Sequence, residues 1–200
     1  MFKHVLSAAA LLSLAAGLAI PASASSISYS AVMSGANEVP SNPSTATGFV
    51  NLTLTGDSLS IVLVYSGLTT VASAGHIHCC AGPGANAPVA VPFVGLPSAV
   101  SGSYSNTFDL TLASTYTSAF ITASGGTAAG AEAALILALN SGLTYANIHN
   151  ATYPGGEIRG YLTAATPEPN SLLLLATGLS GIASIFRTKF RSNSRFSSSL

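Results

Sequence analysis

Apolar and polar positions alternate with a period of two through most of residues 25–165, the pattern of strands with one buried face. Ile27 to Met33 alternates and predicts a first strand. Val50, Leu52 and Leu54 alternate with Asn51 and Thr53, Gly56-Asp57 marks a turn, and Leu59, Ile61, Leu63 and Tyr65 then line one face. These two runs predict a hairpin. The stretch from Asn37 to Thr47, with Pro40 and Pro43, is turn-rich. Val71 to His78 predicts another strand, Ala81 to Ser98 a long Gly/Pro/Ala loop, and Ser101 to Leu112 and Ala119 to Ala123 extended segments. Ala128 to Leu139 departs from the pattern: it is rich in helix formers and free of proline. Thr127 is placed to cap its start and Asn140-Ser141-Gly142 to end it. Thr144 to His149, a turn through Tyr153-Pro154-Gly155-Gly156, and Glu157 to Thr163 close the domain. Short strands between Gly/Pro turns predict an all-β domain, a β-sandwich or barrel with one short helical crossover. There is no internal repeat and no second domain.

Both ends of the chain read as addresses rather than fold. Lys3 and His4 precede an apolar run from Val5 to Ile20 and the small-residue stretch Pro21-Ala22-Ser23-Ala24. That predicts a signal peptide over residues 1–24, handed to the secretion translocon and cut after Ala24. At the other end Thr166-Pro167-Glu168-Pro169-Asn170 leads into an apolar run from Ser171 to Phe186, followed by Arg187, Lys189, Arg191 and Arg195. At ~1.5 Å per residue the run reaches about 24 Å as a helix, short of a hydrocarbon core roughly 30 Å thick. The basic cluster would stay on the cytoplasmic side. This tail, residues 166–200, resembles the PEP-CTERM sorting signal of Gram-negative bacteria. The resemblance implies recognition at Pro167, Glu168 and Pro169 by the membrane protease exosortase, after transient residence in the inner membrane. It also implies delivery to the cell surface or the extracellular matrix. An ordinary C-terminal membrane anchor is the alternative.

Charge narrows the choice of partner. Residues 25–165 hold five carboxylates (Glu38, Asp57, Asp109, Glu132, Glu157), one arginine (Arg159) and no lysine, a net charge of about −4. Nothing there supplies the cationic surface that nucleic acid requires. No Ser/His/Asp arrangement, phosphate-binding glycine loop or carboxylate pair is present to support catalysis, so no enzyme is predicted.

Three segments carry the remaining chemistry. In Gly75-His76-Ile77-His78-Cys79-Cys80, a strand puts His76 and His78 on one face and Ile77 on the other. In Tyr145-Ala146-Asn147-Ile148-His149, His149 shares a face with Asn147. In Gly155-Gly156-Glu157-Ile158-Arg159-Gly160-Tyr161-Leu162, Glu157 and Arg159 lie opposite Ile158 and Leu162 and read as a surface ion pair, with Glu157 across the hairpin from His149. The three histidines have two readings. One is a polar ladder bonded to neighbouring strands and loop carbonyls; the other is a single copper or zinc site. Three histidines are too few for two metals. Cys79 and Cys80, adjacent and without other cysteines in the chain, leave a vicinal disulfide, a cross-link to another molecule, or thiolates on that metal.

Several pieces in order resemble the CHRD domain, first described in chordin and also found in bacterial secreted proteins. They are Glu38-Val39-Pro40, Tyr65-Ser66-Gly67-Leu68, His76-Ile77-His78, Gly142-Leu143 leading into Asn147-Ile148-His149, and Pro154-Gly155-Gly156-Glu157-Ile158-Arg159-Gly160. Cys79-Cys80 followed by Gly82-Pro83-Gly84 looks like a bacterial subgroup that joins this domain to the sorting tail. The resemblance implies an immunoglobulin-like β-barrel related to copper/zinc superoxide dismutase, without its catalytic metal site. It implies a non-enzymatic matrix or interaction module with a polysaccharide or protein ligand. No cofactor is expected, with copper or zinc on the histidines as the alternative.

Overall fold

The computed structural model describes residues 26–165. The expected signal peptide, the Pro167-Glu168-Pro169 motif, the apolar run 171–186 and the basic end lie outside the described residues. Among the described residues no helix is long and apolar enough to cross a membrane.

The described residues form nine strands: β1 (Ser26–Ser34), β2 (Thr47–Thr55), β3 (Ser58–Ser66), β4 (Ala72–Cys79), β5 (Val89–Pro92), β6 (Gly102–Asp109), β7 (Thr144–Asn150), β8 (Ile158–Tyr161) and β9 (Thr163–Ala164). They form one antiparallel sheet in the order β5-β4-β7-β8-β1-β2-β3-β6, with β9 paired to β1. The predicted β2–β3 hairpin is present, with Thr55 opposite Ser58 across Gly56-Asp57. That register aligns Leu52 with Ile61 and Leu54 with Leu59 on one face. Each such side chain, fully buried, contributes about 1.5–3 kcal/mol. The same apolar cluster takes in Ile77, Ala146, Ile148 and Ile158 from the other half of the sheet. The sheet therefore curls around a single core.

Two helices interrupt the strands, α1 (Ser118–Ala123) and α2 (Ala128–Asn140). α2 is the predicted crossover: Thr127 Oγ1 accepts from Gly130 N at 3.1 Å, and Gly142 leaves the helix with φ +68. It buries Ala131, Leu135, Ala138 and Leu139. Two expectations are corrected. Ala119 to Ala123, expected to be extended, is helical because Thr117 caps it, accepting from Phe120 N at 3.2 Å, while Phe120 enters the core. The loop from Ala81 to Ser98 contains β5, which prolines at 88 and 92 disguise. Pro92 is tolerated there because β5 lies at the sheet edge.

Candidate metal centre

β4, β7 and β8 are neighbours, and their register builds rows of side chains across the sheet. His76 pairs with Asn147 and Asn147 with Arg159; His78 pairs with Tyr145 and Tyr145 with Tyr161. Ile77, Ala146 and Ile148 point the other way, into the apolar cluster. The histidine face is thus the back of the core, and the core strands set its spacing.

On that face His76, His78 and His149 come together as predicted. One ring nitrogen from each lies within 4.8 Å of the other two. His76 Nδ1 is 3.2 Å from His149 Nε2. The other nitrogens of two rings are anchored: His78 Nδ1 donates to Ala87 O at 2.8 Å, and His149 Nδ1 to Pro154 O at 2.9 Å. His78 also stacks on Tyr145, with ring centroids 4.6 Å apart. A ring that donates through Nδ1 to a carbonyl presents its Nε2 lone pair when neutral. This is the orientation in which metal-ligating histidines are commonly held.

The surroundings keep these rings uncharged. Burial, reinforced by His149 and then His78, pushes His76 down to about 4. Burial also lowers His78 and His149, against the opposing effect of their carbonyl bonds. Neutral imidazole is the form that binds a metal.

The pairing of Glu157 with Arg159 is overturned. Arg159 Nη2 instead meets Glu38 Oε2 at 2.8 Å, and both side chains are buried. The loop from Gly35 folds over β8 and brings Glu38 to a face that alternation marks as exterior. Arg159 also donates to Asn86 Oδ1 at 2.7 Å and Ala85 O at 3.3 Å, and its guanidinium lies 3.9 Å from the centre of the Tyr145 ring. Those bonds hold the segment that carries Ala87, the acceptor for His78. Glu157 is fully buried elsewhere: it accepts from Ser44 Oγ at 2.6 Å, from Thr69 N at 3.0 Å and from Asn150 Nδ2.

Cys79 and Cys80 form a vicinal disulfide across a cis peptide. This overturns the thiolate-ligand alternative, since sulfurs bonded to each other are not thiolates. Among the described residues this cluster offers a metal imidazole nitrogen, with one further oxygen nearby. Asn147 Oδ1 lies 3.0 Å from both His78 Nε2 and His149 Nε2. Sequence reasoning placed Asn147 beside His149 without giving it a role, and missed Glu38 and Tyr145. A lone arginine in a lysine-free domain was the available sign of a buried partner.

No curated protein and no solved structure matches the chain. The family model for the CHRD domain matches residues 29–162, more than half of the chain and almost all of the β domain described above, so this chain belongs to the CHRD family.

Proposed function

We propose that this CHRD-family protein is exported, sorted through its C-terminal tail by exosortase, and held at the cell surface or in the extracellular matrix of a Gram-negative bacterium. There its β domain binds one transition-metal ion, copper or zinc, through His76, His78 and His149, in a binding or structural role without catalysis. One observation carries the metal reading. Backbone carbonyls of Ala87 and Pro154 anchor His78 and His149 through Nδ1, His149 Nε2 faces His76 Nδ1 at 3.2 Å, and one ring nitrogen from each of the three histidines lies within 4.8 Å of the others. An all-imidazole set favours Cu(II) over Zn(II) by the usual divalent-metal order. The sorting part rests on the tail residues, and the absence of a nucleophile–base arrangement in the sequence supports a non-catalytic role.

Metal content of the full chain, purified without a histidine tag, tests the metal reading. One copper or zinc per chain is expected, lost on His78→Ala. A folded protein that takes up neither metal would sink it and leave a polysaccharide or protein ligand as the reading to pursue. Replacing Pro167, Glu168 and Pro169 by alanine tests the sorting part. Unprocessed chain should accumulate in the inner membrane; unchanged processing would overturn recognition at this motif, and a wild-type chain that itself keeps residues 171–186 would leave a plain anchor.

A further inference from the structure

The contacts of Asn147 do not fit hydrogen bonding alone. Its Oδ1 lies 3.0 Å from His78 Nε2 and 3.0 Å from His149 Nε2. Both rings already donate through Nδ1 to backbone carbonyls. A neutral imidazole has one N–H, so neither Nε2 has a proton to give. Two lone-pair nitrogens and one carbonyl oxygen therefore face each other with no hydrogen between them. Turning the amide over would supply hydrogens, but it would aim Oδ1 toward Glu38, acceptor against acceptor. On that side Asn147 Nδ2 and Glu38 Oε1 are both buried with no hydrogen-bond partner, and both residues crowd Gly156. Asn147 also acts on Glu38, together with Arg159, to oppose the rise that burial imposes on that carboxyl.

A cation resolves this arrangement where a proton does not. Donors ~2.05 Å from a tetrahedral zinc lie about 3.3 Å from one another. Three of the six separations among Asn147 Oδ1, His78 Nε2, His149 Nε2 and His76 Nδ1 are 3.0 Å, 3.0 Å and 3.2 Å, and one ring nitrogen from each histidine lies within 4.8 Å of the other two. His76 and Asn147 are also direct cross-strand partners, which puts their side chains on one face of the sheet. Resting on the metal reading above, we infer that Asn147 is the fourth ligand, its carboxamide oxygen completing a set of three nitrogens and one oxygen. The ligands then come only from β4 and β7.

The test is Zn(II) titration of the full chain, purified without a histidine tag and labelled with ¹³C at its asparagine carboxamides. The Asn147 resonance is identified by its loss in Asn147→Ala or, should that variant fail to fold, in Asn147→Asp. It should shift in step with the first equivalent of zinc, and Asn147→Ala should bind zinc at least tenfold more weakly. Zinc uptake with the Asn147 resonance unmoved would overturn the fourth ligand while leaving a three-histidine site. No zinc or copper uptake by a folded chain would overturn both.

Discussion

Glu38 and Arg159 meet at 2.8 Å with 3% and 2% of their side chains exposed. Arg159 is the sole lysine or arginine between residues 25 and 165, and its position beneath the loops fixes both Asn86 and Glu38. A buried pair of this kind adds little net stability over an apolar replacement, but breaking it leaves a lone charge in the interior. Arg159→Met should therefore destabilise the protein by about 3–5 kcal/mol. Combining it with Glu38→Gln should recover part of that loss. Urea unfolding of the two variants measures both effects, and equal loss in the single and double variants would contradict the account.

The histidine cluster predicts acid sensitivity. His76 sits at about 4 in the folded chain, below the ordinary value near 6.5 for an unfolded histidine. The unfolded state binds the extra proton between those limits, so the contribution is present above about 6.5 and is lost as pH falls toward about 4. His78 and His149 act in the same direction. Glu38 has the opposite slope because burial raises its pKa, and its contribution falls as pH rises through the carboxylate range. Comparing metal-free wild type with His76→Gln isolates the histidine part. The melting temperature of wild type should fall more steeply between pH 6.5 and 4 than that of the variant.

Gly156 is where the Glu38 loop and the β7 side chains meet. Its φ is +128, and a Cβ there would lie 2.7 Å from Glu38 Cδ and 2.8 Å from Asn147 Nδ2. Neither neighbour can move away freely, since one is tied to Arg159 and the other faces the histidines. Gly156→Ala should cost about 1–3 kcal/mol in stability through strain and crowding. It should also weaken metal binding by displacing Asn147. Thermal unfolding and zinc titration of the same variant check the two effects.

With the cysteines joined to each other, metal binding should not depend on them. The double variant Cys79→Ser/Cys80→Ser is expected to bind metal with the stoichiometry of the wild type. A thiol-reactive maleimide should leave the unreduced wild-type chain unlabelled. Loss of metal from the serine variant, with folding intact, would return the sulfurs to the ligand set.

Much of the fold could be read along the chain because its causes are local. Alternation placed β1, β2, β3, β4, β6 and β7, the Gly56-Asp57 turn aligned β2 with β3, and Thr127 with Gly142 bounded α2. The meeting of His76 and His78 on one face followed from strand geometry, and His149 was recognised as their companion. The local pattern failed where a neighbour distant in sequence took control. Alternation marked the face of Arg159 as exterior, yet the loop from Gly35 covers it and brings Glu38, so the arginine found a different carboxylate. Phe120 entered a core formed by other strands, and α1 replaced an extended segment. Asn147 gained its role only when β4 and β7 paired in register and set its oxygen between two imidazoles. Period and capping act over a few residues and can be read in one dimension. Burial of a charge, and the convergence of lone pairs, depend on which segments lie on top of one another, and folding alone settles that.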